Sequence, residues 1–143
     1  MNHTGRMEAS IRYFILLSYT LVWSTLLLVP DRFLQVDIPH QIGEGILPVD
    51  KLVHALGYFL LTVFMILALG TPPSSLPWTW LIAAAAAHGG LTEFLQTFVP
   101  GRDGDWLDWV VDVHGILAGA GFVGVCRWFL RRGSREAKQI REL

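Results

Sequence analysis

Long apolar runs separated by short polar segments make up most of the chain. Four of these runs are long enough to cross about 30 Å of hydrocarbon as helices, at 1.5 Å per residue. They cover residues 11–29, 51–69, 78–98 and 105–130. The pattern predicts an all-α fold in which residues 1–143 form a single membrane domain, a bundle of four transmembrane helices.

The first run lies near the N-terminus behind Arg6 and Arg12, where the apolar part of a signal peptide would also lie. It is about 19 residues long, however, and Val-Pro-Asp-Arg-Phe follows it in place of a small-residue cleavage site. We therefore expect this run to remain in the membrane as a spanning helix.

Composition supports a membrane location, because 52% of the 143 residues are hydrophobic and 16% are charged. Basic residues gather before the first run and around the end of the fourth, so both termini are expected to be cytoplasmic. The segment 30–51 and the turn 99–105 are then exterior, and the segment 70–77 is interior. We interpret the basic tail as a topology signal in contact with anionic lipid and expect no nucleic-acid partner. The predicted location is the bacterial cell membrane.

The second and third runs carry polar residues near their predicted outer ends. Asp50, His54 and Tyr58 share one face of the second helix at 100° per residue, and Lys51 follows Asp50. On the third helix Glu93 and Gln96 share a side. His88 points nearly opposite, which predicts a structural or lipid-edge position for it.

The fourth run begins with an acidic stripe. Asp105, Asp108 and Asp112 lie on one face at helical spacing, and Gly115 and Gly119 continue the same stripe. The two glycines form a Gly-x-x-x-Gly pair, which allows a neighbouring helix to approach closely.

Ionisable residues of the second, third and fourth helices are predicted to lie at a similar depth in the membrane. Counted from the outer helix ends, His54, Glu93 and Asp112 lie about 6 to 9 Å inside. Ionisable side chains at bilayer depth are costly, about 2.5 to 3.5 kcal/mol even on a lenient scale, and usually face a functional interior. The sequence therefore predicts one polar site open to the outside.

These residues also carry a family resemblance. The pattern Asp-Lys-x-x-His-x-x-x-Tyr from Asp50, then Glu-x-x-Gln-x-x-x-Pro-Gly-Arg-x-x-Asp-x-x-Asp from Glu93 and Gly-x-x-x-Gly from Gly115, resembles the VanZ-like family of small bacterial membrane proteins. The resemblance covers about half of the chain. It implies that the polar positions of the family are Asp50, Lys51, His54, Tyr58, Glu93, Gln96, Arg102 and Asp108. The chain departs from the family at Asp112, where asparagine is common.

The resemblance implies a role in resistance to glycopeptide antibiotics of the lipid-tailed teicoplanin type. One hypothesis is therefore a protein that binds an amphipathic or lipid-linked envelope molecule, or a lipoglycopeptide, without chemistry. The binding residues would be Asp50, Lys51, Tyr58, Gln96, Arg102, Asp105 and Asp112. The expected partner is a membrane lipid or a lipid-linked molecule.

Two alternatives stay open. In the first alternative, the chain is a hydrolase or transferase that uses Glu93, Asp108 and His54 as general acids and bases. In the second, the polar residues only clamp the helices together. Clamping would pair Arg102 with the acidic stripe and His54 with Glu93. No nucleophile motif is present, so enzymatic activity is left open. No HExxH-like spacing is present either, so neither a metal nor another cofactor is expected.

Overall fold

The computed structural model describes residues 3–30, 33, 49–69, 78–102 and 104–141. Within these ranges the chain is all-helical, as predicted, and contains α1 (His3–Leu28), α2 (Val49–Leu69), α3 (Trp78–Gln96) and α4 (Trp106–Arg141). Most of the predicted exterior segment 30–51 and all of the predicted interior segment 70–77 lie outside the described residues.

The first and fourth helices extend well beyond the apolar runs that predicted them. The helix α1 begins eight positions earlier, and α4 continues eleven positions further. Beyond the fourth run the chain holds good helix formers, and Arg132 Nε donates to Glu136 Oε1 at 3.0 Å across one helical turn. An apolar run marks the part of a helix suited to hydrocarbon, whereas the helix itself extends into neighbouring polar residues that favour helix.

Among the described residues, three helical segments are long and apolar enough to cross a membrane: Gly5–Leu28, Val49–Leu69 and Trp106–Glu136. The helix α3 falls outside this set because its second half carries His88, Thr92, Glu93 and Gln96. Three of these four side chains are buried, the exception being the half-buried His88. The polarity of α3 is therefore directed largely toward neighbouring helices.

Packing places α2 at the centre, where it contacts α1, α3 and α4. One apolar cluster contains Trp23, Leu27, Tyr58, Leu61, Ala85 and Ile116, and a second contains Ile66, Leu81, Ala120 and Val123. Large apolar side chains such as Phe14, Leu17 and Phe129 remain exposed. This distribution fits a bundle whose outer surface is solvated by lipid.

Close approach of α2 and α4 depends on two glycines. A Cβ atom at Gly115 would lie 2.2 Å from the carbonyl oxygen of Ala55, and one at Gly119 would lie 2.6 Å from that of Phe59. Real Cβ atoms almost never come within 3.0 Å of another atom in this way. The absence of side chains at both positions therefore sets the separation of α2 and α4, directly below the polar residues.

Candidate functional site

The first turn of α4 is fixed by Asp105. Its Oδ1 accepts a hydrogen bond from the Leu107 N–H at 2.9 Å, which is the geometry of a helix N-cap. A capping carboxylate also interacts favourably with the positive end of the helix dipole. The Leu107 N–H and the Lys51 ammonium group stabilise the ionised form, so they hold the pKa of the Asp105 carboxyl below its usual range.

Lys51 links α2 to this first turn. Its Nζ lies 2.5 Å from Asp108 Oδ1 and 3.0 Å from Asp105 Oδ2. Asp50 is more distant, with an Oδ2 to Nζ separation of 4.0 Å and a largely exposed side chain. Lys51 thus occupies the position beside the acidic stripe that the clamping hypothesis gave to Arg102.

Arg102 and Gln96 instead contact the end of α1. Arg102 donates from Nε to the Val29 carbonyl at 3.2 Å, and Gln96 donates from Nε2 to the Leu27 carbonyl at 2.9 Å. A longer contact of 3.4 Å joins Arg102 to the Leu26 carbonyl. The last carbonyls of a helix have no partner within it, so these side chains satisfy groups that would otherwise be unpaired. Both residues therefore have a structural function at the end of α1.

His54, Glu93 and Asp112 form a buried cluster, called here the triad. The Nδ1 atom of His54 lies 3.0 Å from Asp112 Oδ1 and 3.8 Å from Glu93 Oε1. His54 and Glu93, which the sequence predicted at a common depth, therefore lie within reach of each other. The direct hydrogen bond of the imidazole, however, is to Asp112.

Two carboxylate oxygens of the triad have no hydrogen-bond partner among the described residues. These are Glu93 Oε1 and Asp112 Oδ2, and each belongs to a side chain with at most 8% exposure. The second oxygen of Glu93 is satisfied, because Oε2 accepts from the Asp105 N–H at 2.9 Å. Unpaired buried oxygens are rare and costly, so the triad calls for a further group.

Beside the triad lies a network that sequence reasoning missed. Tyr58 Oη lies 3.0 Å from His88 Nδ1 and 3.0 Å from Thr92 Oγ1, and His88 Nε2 lies 3.0 Å from Ser24 Oγ. The lipid-edge alternative for His88 was wrong. Because α3 contacts α1 on one side and α4 on another, opposite faces of this helix are both inside the bundle. Polar residues on both faces of α3 were the feature of the sequence that could have indicated this position for His88.

A groove of about 290 Å³ runs between the end of α3 and the start of α4, and Glu93 lines it. Phe94, Trp106 and Trp109 form apolar walls. The Trp109 indole is fixed by donation from Nε1 to the Ala86 carbonyl at 3.0 Å. The groove thus combines exposed aromatic surface with one carboxylate of the triad, a lining suited to an amphipathic molecule.

The structure separates the sequence-predicted residues into groups. His54, Glu93 and Asp112 meet in the triad, while Lys51, Asp105 and Asp108 form an adjoining ion-pair cluster. Tyr58 belongs to the neighbouring network, Asp50 lies at the edge, and Gln96 and Arg102 contact α1. The spacing within each helix did not indicate a metal site, yet the triad has the donor atoms of one.

Comparison with protein-family models, with curated proteins and with solved structures returned no match.

Proposed function

We propose that the chain is a VanZ-like integral membrane protein that binds an amphipathic or lipid-linked envelope molecule at an outward-facing site. The observation that supports this proposal best is that Glu93 lines the groove and also belongs to the triad, so the two are adjacent. An apolar tail would lie against Trp106 and Phe94, and a polar head group would contact the carboxylate. The resemblance suggests a lipid-tailed glycopeptide, or the envelope molecule that such an antibiotic affects.

The topology we propose has four spanning helices with both termini in the cytoplasm. The helix α3 would cross as part of the bundle, since Glu93, Gln96 and Thr92 are buried against neighbouring helices. Arg131, Arg132 and Arg135 lie together at the other end of the bundle, which supports a cytoplasmic C-terminus. The groove and the triad would then open toward the exterior.

Cysteine labelling tests this orientation. In a chain with Cys126→Ser, Asp103→Cys should react with a membrane-impermeant maleimide in intact cells, because position 103 lies in the proposed exterior turn. Ser134→Cys, near the opposite end of α4, is the matched control and should react only after permeabilisation. The reverse pattern would overturn the topology.

Antibiotic susceptibility tests the binding function. Expressed in a susceptible bacterium, the chain should raise the inhibitory concentration of a lipid-tailed glycopeptide more than that of a glycopeptide without the tail. Trp106→Ala, which removes a groove wall, should abolish the effect. Trp80→Ala is the matched control, because Trp80 is similarly exposed near the far end of α3. Equal protection against both antibiotics, or equal loss in both variants, would contradict the proposed groove.

A further inference from the structure

The triad joins one imidazole to two carboxylates from three different helices. One ligand atom from each of His54, Glu93 and Asp112 can be chosen so that all three lie within 4.8 Å of one another. All three side chains are at least nine-tenths buried. We propose that the triad binds a divalent transition-metal ion of the zinc, cobalt and manganese class.

The unpaired oxygens are the independent observation behind this proposal. Glu93 Oε1 lies 3.8 Å from His54 Nδ1, yet it accepts no hydrogen bond from the described residues. Asp112 Oδ2 is likewise unpaired within that part of the chain. A helix clamp would supply both oxygens with donors. A cation satisfies them without any donor, because it interacts with oxygen lone pairs directly.

Charge supports the same assignment. Two buried carboxylates face one imidazole in the triad, and the nearby Lys51 ammonium group is held by Asp105 and Asp108. Burial of unbalanced charge is costly. A divalent ion would balance Glu93 and Asp112 with His54 neutral, the protonation state in which imidazole is a ligand.

The distances suit a small ion. Zinc lies about 2.0 to 2.2 Å from nitrogen and oxygen ligands, so tetrahedral ligand atoms are separated by roughly 3.3 to 3.6 Å. The His54 Nδ1 separations of 3.0 Å to Asp112 and 3.8 Å to Glu93 lie on either side of this range. The donor atoms of the triad are separated by up to 4.8 Å, so the carboxylate side chains would move inward to complete the coordination.

The donor set also indicates the class of metal. Magnesium and calcium prefer oxygen ligands throughout, and monovalent copper prefers sulfur. One nitrogen with two carboxylate oxygens suits zinc, cobalt, manganese and ferrous ions. Three protein ligands leave at least one coordination position open, as in catalytic zinc sites. Glu93 places this ion next to the groove.

Cobalt binding tests the proposal. The purified full-length chain, in detergent and freed of metal with a chelator, is titrated with Co²⁺ while its visible absorption is recorded. We expect a tetrahedral cobalt spectrum that saturates at one ion per chain and disappears when Zn²⁺ is added. Absence of that spectrum, together with no stoichiometric Zn²⁺ binding by equilibrium dialysis, would overturn the proposal.

Variants then locate the ion. Glu93→Gln and Asp112→Asn retain side-chain volume, so each variant should fold. Each should bind Co²⁺ at least about tenfold more weakly, because even the loss of a residue that only supports a metal ligand lowers metal affinity by about that factor. His114→Ala and Glu136→Gln remove exposed donors from α4 and should bind like wild type. Equal losses in the triad and control variants would assign the binding to the surface and contradict the proposal.

The experiments can contradict the metal site and the proposed function independently of each other. A chain that binds one Co²⁺ ion but gives no antibiotic protection contradicts the proposed function alone. A chain that protects cells but binds no stoichiometric metal contradicts the triad assignment alone.

Discussion

Replacement of Gly115 by alanine tests how the interface between α2 and α4 supports the triad. The new Cβ atom would lie 2.2 Å from the Ala55 carbonyl oxygen and 3.0 Å from its carbonyl carbon. These are backbone atoms, so no flexible side chain can move aside. Lengthening the first contact from 2.2 Å to an ordinary 3.4 Å requires the two backbones to separate locally by about 1.2 Å.

This separation has an energetic cost and a geometric consequence. Overpacking of a close interface costs about 1 to 3 kcal/mol, so we expect the free energy of unfolding to fall by that amount. His54 immediately precedes Ala55, and Asp112 lies one turn before Gly115. A shift of this size would lengthen the 3.0 Å contact between His54 and Asp112 beyond hydrogen-bonding distance.

Denaturation by sodium dodecyl sulfate in mixed micelles, followed by circular dichroism, measures the change in stability. Gly121→Ala is the matched control, because the same substitution on α4 meets no atom within 4 Å. It should be neutral or stabilising by up to about 1 kcal/mol, since alanine is the better helix former. If Gly115→Ala were as stable as Gly121→Ala, the close approach of α2 and α4 would be refuted.

Two further predictions concern the carboxylates. In metal-free buffer Asp108→Asn should lower the melting temperature, because it leaves Lys51 Nζ without its shortest ion pair. Asp112→Asn should leave the melting temperature unchanged or raise it, because it removes a buried charge with an unpaired oxygen. A lower melting temperature for Asp112→Asn than for Asp108→Asn would contradict the division into clamp and site. Because the pKa of Asp105 is lowered in the fold, its contribution to stability is present above about pH 4, its unfolded value, and is lost as the pH falls through the folded pKa. Acid titration of wild type against Asp105→Asn should therefore show wild type losing its advantage below about pH 4, and parallel curves would refute this contribution.

The membrane-type helices were predictable because apolar length is a local property of the chain. The common depth of His54, Glu93 and Asp112 was predictable for a similar reason, since 1.5 Å per residue converts sequence position into height along each helix. Height alone does not fix rotation about the helix axes. The sequence therefore located one polar layer but did not show which residues within that layer are partners.

Partner choice depended on contacts between helices. Arg102 follows α3 closely in sequence and precedes the acidic stripe, so a local ion pair was the natural prediction, yet it donates to carbonyls at the end of α1. Lys51, more than fifty residues from Asp105, takes the ion-pair position instead. His88 likewise joins Tyr58 and Ser24 because α3 has neighbours on opposite sides. Such partners are set by the tertiary arrangement and leave no periodic signal in one helix.

The polar residues that hold the helices together are different from those that form the candidate site. Lys51 with Asp108, and Gln96 with the Leu27 carbonyl, are contacts that hold helices together. The triad does not fit that description, because a group used only as a clamp gains nothing from an unpaired buried oxygen, which costs about 1 to 3 kcal/mol. Each of Glu93 and Asp112 carries such an oxygen. Among the buried side-chain oxygens of the described residues, Glu93 Oε1 and Asp112 Oδ2 are the ones left without a hydrogen bond. Two open oxygens at one place are the arrangement expected of a binding site, and their shared location beside His54 is why we assign them a cation.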